Sequence, residues 1–179
     1  VSDIANAILE GADALMVTGE TAAGDYPEKV INVLTRVIKE TESNIQYHDH
    51  PISRGNKKLI TARAISHAAC SVAYEQDIKI LVTMTHTGST ARMVSKYRPS
   101  ARIVAMTPIE SICRQLSIVW GVTSFLVKEY NSTDKIQDVV NEVLIDENIL
   151  TSGEKFVVTG GVPVGVPGTT NYLSVIKKI

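Results

Sequence analysis

Apolar residues at Ile4, Ala5, Ile8 and Leu9 fall on one face of a short helix, with Ser2 and Asp3 as cap oxygens before it and Gly11 as its stop. Ala14 to Val17 reads as a brief buried strand, and Thr18 to Gly24 as a loop of small residues that lets backbone amides approach a ligand. Asp25, Pro27 and Glu28 then make a capping-box-like start for a helix whose stripe is Val30, Leu34, Val37, Ile38 and Ile45. From Gln46 to Lys58 the pattern lapses into His48, His50, Pro51, Arg54 and Gly55, which is linker composition. Beyond it, Ile65, Ala68, Ala69, Val72 and Ala73 outline a helix whose alanines suit close packing against a sheet or another subunit.

A second rhythm follows. Runs at Ile78 to Met84, Ile103 to Met106, Val122 to Val127 and Phe156 to Val158 are apolar and β-type. Helical patterns at Ser89 to Tyr97, Ile109 to Trp120 and Asp134 to Ile149 separate them, and Tyr172 to Ile176 adds a last edge strand. Strands that alternate with helices predict a doubly wound α/β fold: a mainly parallel sheet of about five strands, helices on both faces and right-handed crossovers. The expected organisation is a helix-strand-helix unit over 1–45, a linker over 46–58 and an α/β domain over 59–179.

Charge and composition narrow the function classes. Eighteen basic residues against 19 acidic ones leave a net charge of -1, so no basic field exists to recruit a nucleic acid. No apolar run reaches the roughly 20 residues of a membrane span, and a soluble, reducing, cytoplasmic setting is expected. Cys70 and Cys113 lack the paired spacing of zinc ligands and read as core thiols, as Trp120 reads as core. The four histidines form no HxxxH pair, and neither a G-x-S-x-G elbow nor a Cys-His signature is present.

Ligands of open parallel sheets sit beyond the carboxyl ends of strands. There Thr85, His86, Thr87, Gly88, Ser89 and Thr90 follow one strand and open the next helix, offering hydroxyls and amides to a phosphate or serving as ordinary N-capping. The stretch Gly160 to Asn171 is either a binding lid or a long hairpin connection. Glu20 is a carboxylate in a glycine-bearing loop after a strand, with a functional or a merely solvated role open.

The string GADALMVTGETAAGDYP at Gly11 to Pro27 closely resembles the segment around the eighth barrel strand of the pyruvate kinase family. The likeness continues through THTGSTARMVSKYRPSARIVAMTP at Thr85 to Pro108, WGV at Trp120 to Val122 and TGGVPVGVPGTTN at Thr159 to Asn171. It implies that residues 1–45 are the last unit of a catalytic (β/α)8 barrel and that the rest is the C-terminal regulatory and oligomerisation domain. The implied parent reaction transfers phosphoryl from phosphoenolpyruvate to ADP with Mg2+ and K+, in a cytoplasmic homotetramer. Thr18, Glu20 and Thr21 would border the active-site mouth, while the other catalytic groups would come from earlier strands. This chain alone is therefore expected to be inactive and to hold no cofactor. The resemblance also implies an allosteric site for a sugar-phosphate or nucleotide effector. Thr85, His86, Thr87, Gly88, Ser89 and Thr90 would cradle its phosphate, Gly165, Gly168 and Thr169 would close over it, and Lys135 would meet a second phosphate. His86 and Ser89 stand where activated forms carry lysine and arginine, so the cradle is short of fixed charge.

Overall fold

The computed structural model describes residues 1–45, 61–129, 132–151, 153–164, 166 and 168–177, and the linker expected over 46–58 lies outside them. The chain divides into two compact units, Val1–His48 and Asp49–Ile179. In the first, α1 (Ser2–Leu9) forms as its apolar spacing predicts, but its cap position is Val1 and no side chain caps it. Ser2 and Asp3 lie inside the first turn, where only the acidic charge of Asp3 favours the helix dipole. Its end follows the Gly11 reading: the amides of Gly11 and Ala12 bond the carbonyls of Ile8 and Ala7 at 3.0 and 2.9 Å, the paired closure of a Schellman motif.

Ala14 to Val17 is not a strand, and Met16 is 87% exposed. The first unit holds no strand among its described residues, and backbone without a ladder partner has nothing to pair with. The expected open loop at Thr18 to Gly24 contains one helical turn, α2 (Gly19–Ala22). In α3 (Pro27–Ser43), Pro27 takes the first position because its fixed φ suits a helix start and it has no N–H to lose. That leaves Tyr26 rather than Asp25 at the cap, with no side-chain bond. Val30, Leu34, Val37 and Ile38 are half-buried as a stripe, and α1 packs against α3.

The second unit contains α4 (Thr61–Glu75), β1 (Ile80–Met84), α5 (Ser89–Ser95), β2 (Arg102–Thr107), α6 (Glu110–Leu116), β3 (Val122–Leu126), α7 (Thr133–Asp146), β4 (Lys155–Gly161) and β5 (Thr170–Lys177). All five strands stand where their apolar runs placed them. The sheet order is β3-β2-β1-β4-β5, parallel except for β5, which runs antiparallel to β4. α5 and α6 are shorter than their periodicity suggests. After α5, Arg98 adopts φ 46 ahead of Pro99, and a residue before proline is steered away from helical geometry.

Alternation along β1 decides the layers. Ile80, Val82 and Met84 share one core with Ile136, Val140 and Leu144 of α7 and with Phe156 and Val158 of β4. Leu81 faces the other way, against Ala69 and Ala73 of α4, Val94 of α5 and Val157, and Ala105 on that face meets Ala91 and Leu116. So α4, α5 and α6 cover one face and α7 the other. The chain walks outward from β1 to β3 and then returns across the sheet to β4. A crossover of constant hand that reverses direction must pass over the opposite face, where α7 lies. The buried face of α4 is Ala62, Ser66, Ala69 and Ala73, while Ala64 and Ala68 are half-buried. Cys70 and Cys113 are half-buried rather than fully enclosed. Trp120 is half-buried too, because it ends its turn at the surface and the Arg98 guanidinium lies 4.6 Å from its ring centroid.

Candidate functional site

The change of direction in strand order falls between β1 and β4, and a parallel sheet opens a crevice at such a switch point. The carboxyl end of β1 runs into Thr85 to Thr90, while the end of β4 runs into the connection that returns as β5. The two loops face each other across a narrow cleft of about 30 Å³. Thr85, His86, Thr87, Ser89 and Thr90 form one wall; Gly161, Val164, Val166, Gly168, Thr169 and Thr170 contribute the other.

The hydroxyls in this cleft have distinct employment. Thr85 is 4% exposed, and its Oγ1 accepts the Gly88 amide at 2.9 Å, which holds the turn. Gly88, at φ 78, caps α5 in a left-handed conformation that a side chain rarely adopts. Thr87 is exposed and donates to the Ser89 hydroxyl at 3.1 Å. Thr90 and Thr170, both 3% exposed, share a hydrogen bond of 2.7 Å that ties α5 to the first residue of β5. Two buried hydroxyls that bond each other use one proton between them, so a second O–H remains to donate elsewhere. On the far wall, Thr169 donates to the Val166 carbonyl at 2.7 Å.

Of the residues singled out in the sequence, Thr85, His86, Thr87, Ser89, Thr90, Gly168 and Thr169 are gathered here, around the Gly88 turn. Gly165 lies outside the described residues. Lys135 sits exposed on the first turn of α7 and is not part of the cleft lining. Among the described lining residues there is no lysine or arginine, so an anion would rely on hydroxyls, amides and His86. Gly161, Val164 and Thr170 also line the cleft, and the sequence marked them only as part of the candidate stretch Gly160 to Asn171.

Thr18, Glu20 and Thr21 belong to the first unit. Thr18 occupies the cap position of α2, the Thr21 hydroxyl donates back to the Thr18 carbonyl at 3.2 Å, and Glu20 is exposed. Among the described residues no three His, Cys, Asp or Glu side chains gather into a possible metal site. No described helix is long and apolar enough to cross a membrane.

Residues 63–176 match the family model of the pyruvate kinase alpha/beta domain, and residues 1–31 match that of the pyruvate kinase barrel domain. Pyruvate kinase of Clostridium acetobutylicum is 40% identical over 97% of this chain and 37% of the relative. That of Geobacillus stearothermophilus is 38% identical over 97% of this chain and 30% of the relative. A crystal structure of a pyruvate kinase from Cryptosporidium parvum superposes with a TM-score of 0.85 at 31% identity, covering 99% of this chain and 36% of that one. Cryptosporidium parvum pyruvate kinase in complex with ADP does so with a TM-score of 0.80 at 32% identity, over 99% and 36%. The chain thus spans 30% to 37% of the length of these curated relatives.

Proposed function

The chain belongs to the pyruvate kinase family, and on that premise we propose that its α/β unit is the effector-binding part of an enzyme that moves phosphoryl from phosphoenolpyruvate to ADP. The observation that carries this reading is the meeting of two hydroxyl- and glycine-bearing loops in one cleft at the switch point between β1 and β4. A phosphate monoester needs donors rather than bulk there. Thr87, Ser89 and the second proton of the Thr90–Thr170 pair supply them, with amides of the turn at Gly88.

A cleft of about 30 Å³ takes one or two waters. In this reading the wall at Val164, Val166 and Thr169 closes over the bound phosphate ester. Differential contact between open and closed walls is what lets an effector shift an equilibrium elsewhere in the enzyme. The rest of the catalytic machinery lies on other barrel strands, so this chain by itself turns over no phosphoenolpyruvate; ATP formation by the pure chain would refute that. Self-association in a homotetramer belongs to the same reading, with the alanine-rich α4 as a contributor to one contact; a chain that stays monomeric at high concentration counts against it. Sedimentation reads this directly.

One observation favours a second reading, an assembly module with no metabolite: the Thr85 hydroxyl is already used in the turn, as in plain capping. Calorimetric titration with fructose 1,6-bisphosphate, ribose 5-phosphate and AMP separates the two. Saturable binding to the wild type that is lost in Thr87→Glu supports the effector cleft. No heat with any of the three, at millimolar ligand, overturns it.

A further inference from the structure

The ladder between β4 and β5 pairs Phe156 with Ile176, Val158 with Ser174 and Gly160 with Tyr172, then slips so that Gly161 opposes Thr170. Asn171 is left without an opposite residue, as the extra residue of a β-bulge. The slip changes which way the chain faces. Tyr172 and Ile176 pack on the α7 side, and strict alternation would send Thr170 there as well. Instead Thr170 turns to the other face and bonds Thr90 of α5.

The Asn171 carboxamide bonds the backbone of Val162 twice: Nδ2 donates to the Val162 carbonyl at 2.7 Å, and Oδ1 accepts the Val162 amide at 2.8 Å. A carboxamide carries the same donor and acceptor as a peptide group, so here it serves as one further ladder partner beyond the last backbone pair. Backbone pairing cannot extend the ladder past that point, because Pro163 has no N–H to offer. Beyond Val162, the loop carries Val164, Val166, Gly168 and Thr169 into the cleft wall.

We propose that Asn171 is a positioning residue: its side chain locks Val162 at the base of the connection and so seats Val164, Val166, Gly168 and Thr169 opposite Thr85 to Thr90. Its consequence for a ligand rests on the effector reading given above, whereas the seating itself does not. Asn171 is exposed, so removing its amide leaves no core cavity and spares the fold.

The test compares the ligand-free wild type with Asn171→Ala and Asn171→Asp by amide hydrogen exchange. Loss of both bonds raises exchange at Val162 and across the loop roughly tenfold in the alanine variant, while Phe156, Val157 and Val158 in β4 are unchanged. Aspartate keeps the acceptor for the Val162 amide and gives an intermediate rate. Unchanged loop exchange in Asn171→Ala overturns the proposal. In parallel, affinity for ribose 5-phosphate is expected to fall roughly tenfold in a variant that still unfolds cooperatively, and equal affinity in wild type and variant also overturns it. If the wild type binds none of the phosphate probes, the effector reading fails by itself and the exchange rates still decide the seating.

Discussion

Replacing Gly161 by alanine probes how tightly the two ends of the β4–β5 connection close on each other. A Cβ built there would lie 2.6 Å from Thr169 Oγ1, 3.1 Å from the Thr169 carbonyl oxygen and 3.2 Å from its carbon. The hydroxyl cannot simply swing away, because threonine is stiff at χ1 and this one donates to the Val166 carbonyl at 2.7 Å. The backbone atoms must yield as well. Losing that bond costs about 1 kcal/mol, and the overpacking adds about 1–2 kcal/mol. The sum of about 2–3 kcal/mol lowers the melting temperature by roughly 5–10 °C in a chain of this size. Gly168→Ala is the companion variant, since its added methyl meets nothing within 4 Å and faces only the strain of φ 79, about 1 kcal/mol. Calorimetric unfolding of the three proteins, with effector titration beside it, reads both stability and cleft shape. If Gly161→Ala melts within 2 °C of the wild type, or if Gly168→Ala is the more damaging change, the close approach drawn here is wrong.

Thr90→Val strands the buried Thr170 hydroxyl and should cost about 1–3 kcal/mol in denaturant titrations, whereas Thr90→Val with Thr170→Val should recover most of the loss, because both polar groups leave together. Additive losses in that cycle would show that the two hydroxyls do not share a bond. Phe156 is fully buried among the α7 residues, so Phe156→Ala should cost about 3–5 kcal/mol by urea unfolding, and a cost under about 1.5 kcal/mol would place it outside the core. Glu110→Gln removes the exposed partner of Arg114 at 2.7 Å and should change stability by no more than about 0.5 kcal/mol. A larger loss in that variant would mean that α6 depends on its surface charge.

Much of the α/β unit was legible from the chain alone, since each strand announces itself through five or so neighbouring residues. Val82, Val104 and Phe156 are fully buried in the runs that apolar composition marked. The helix at Pro27 was legible, but its cap was misassigned, because a proline's demand for the first helical position outranks the appeal of an aspartate two residues earlier. Ala14 to Val17 misled for another reason: β-type composition states a willingness to pair, and a ladder exists only where a second strand lies alongside. Lys135, expected from the resemblance to meet a second phosphate, is exposed on the first turn of α7 and does not line this cleft.

By itself the sequence determined the order and type of the elements, the hydroxyl cluster that ends β1 and the resemblance that names the family, because all of these are encoded in contiguous residues. Tertiary structure alone decided that Thr90 meets Thr170 across 80 residues, that a bulge at Asn171 turns one hydroxyl towards α5, and that the Asn171 amide returns to Val162. Those contacts follow from strand order and register. A register slip of one residue moves a side chain to the other face, and no local pattern in the chain specifies where that slip occurs.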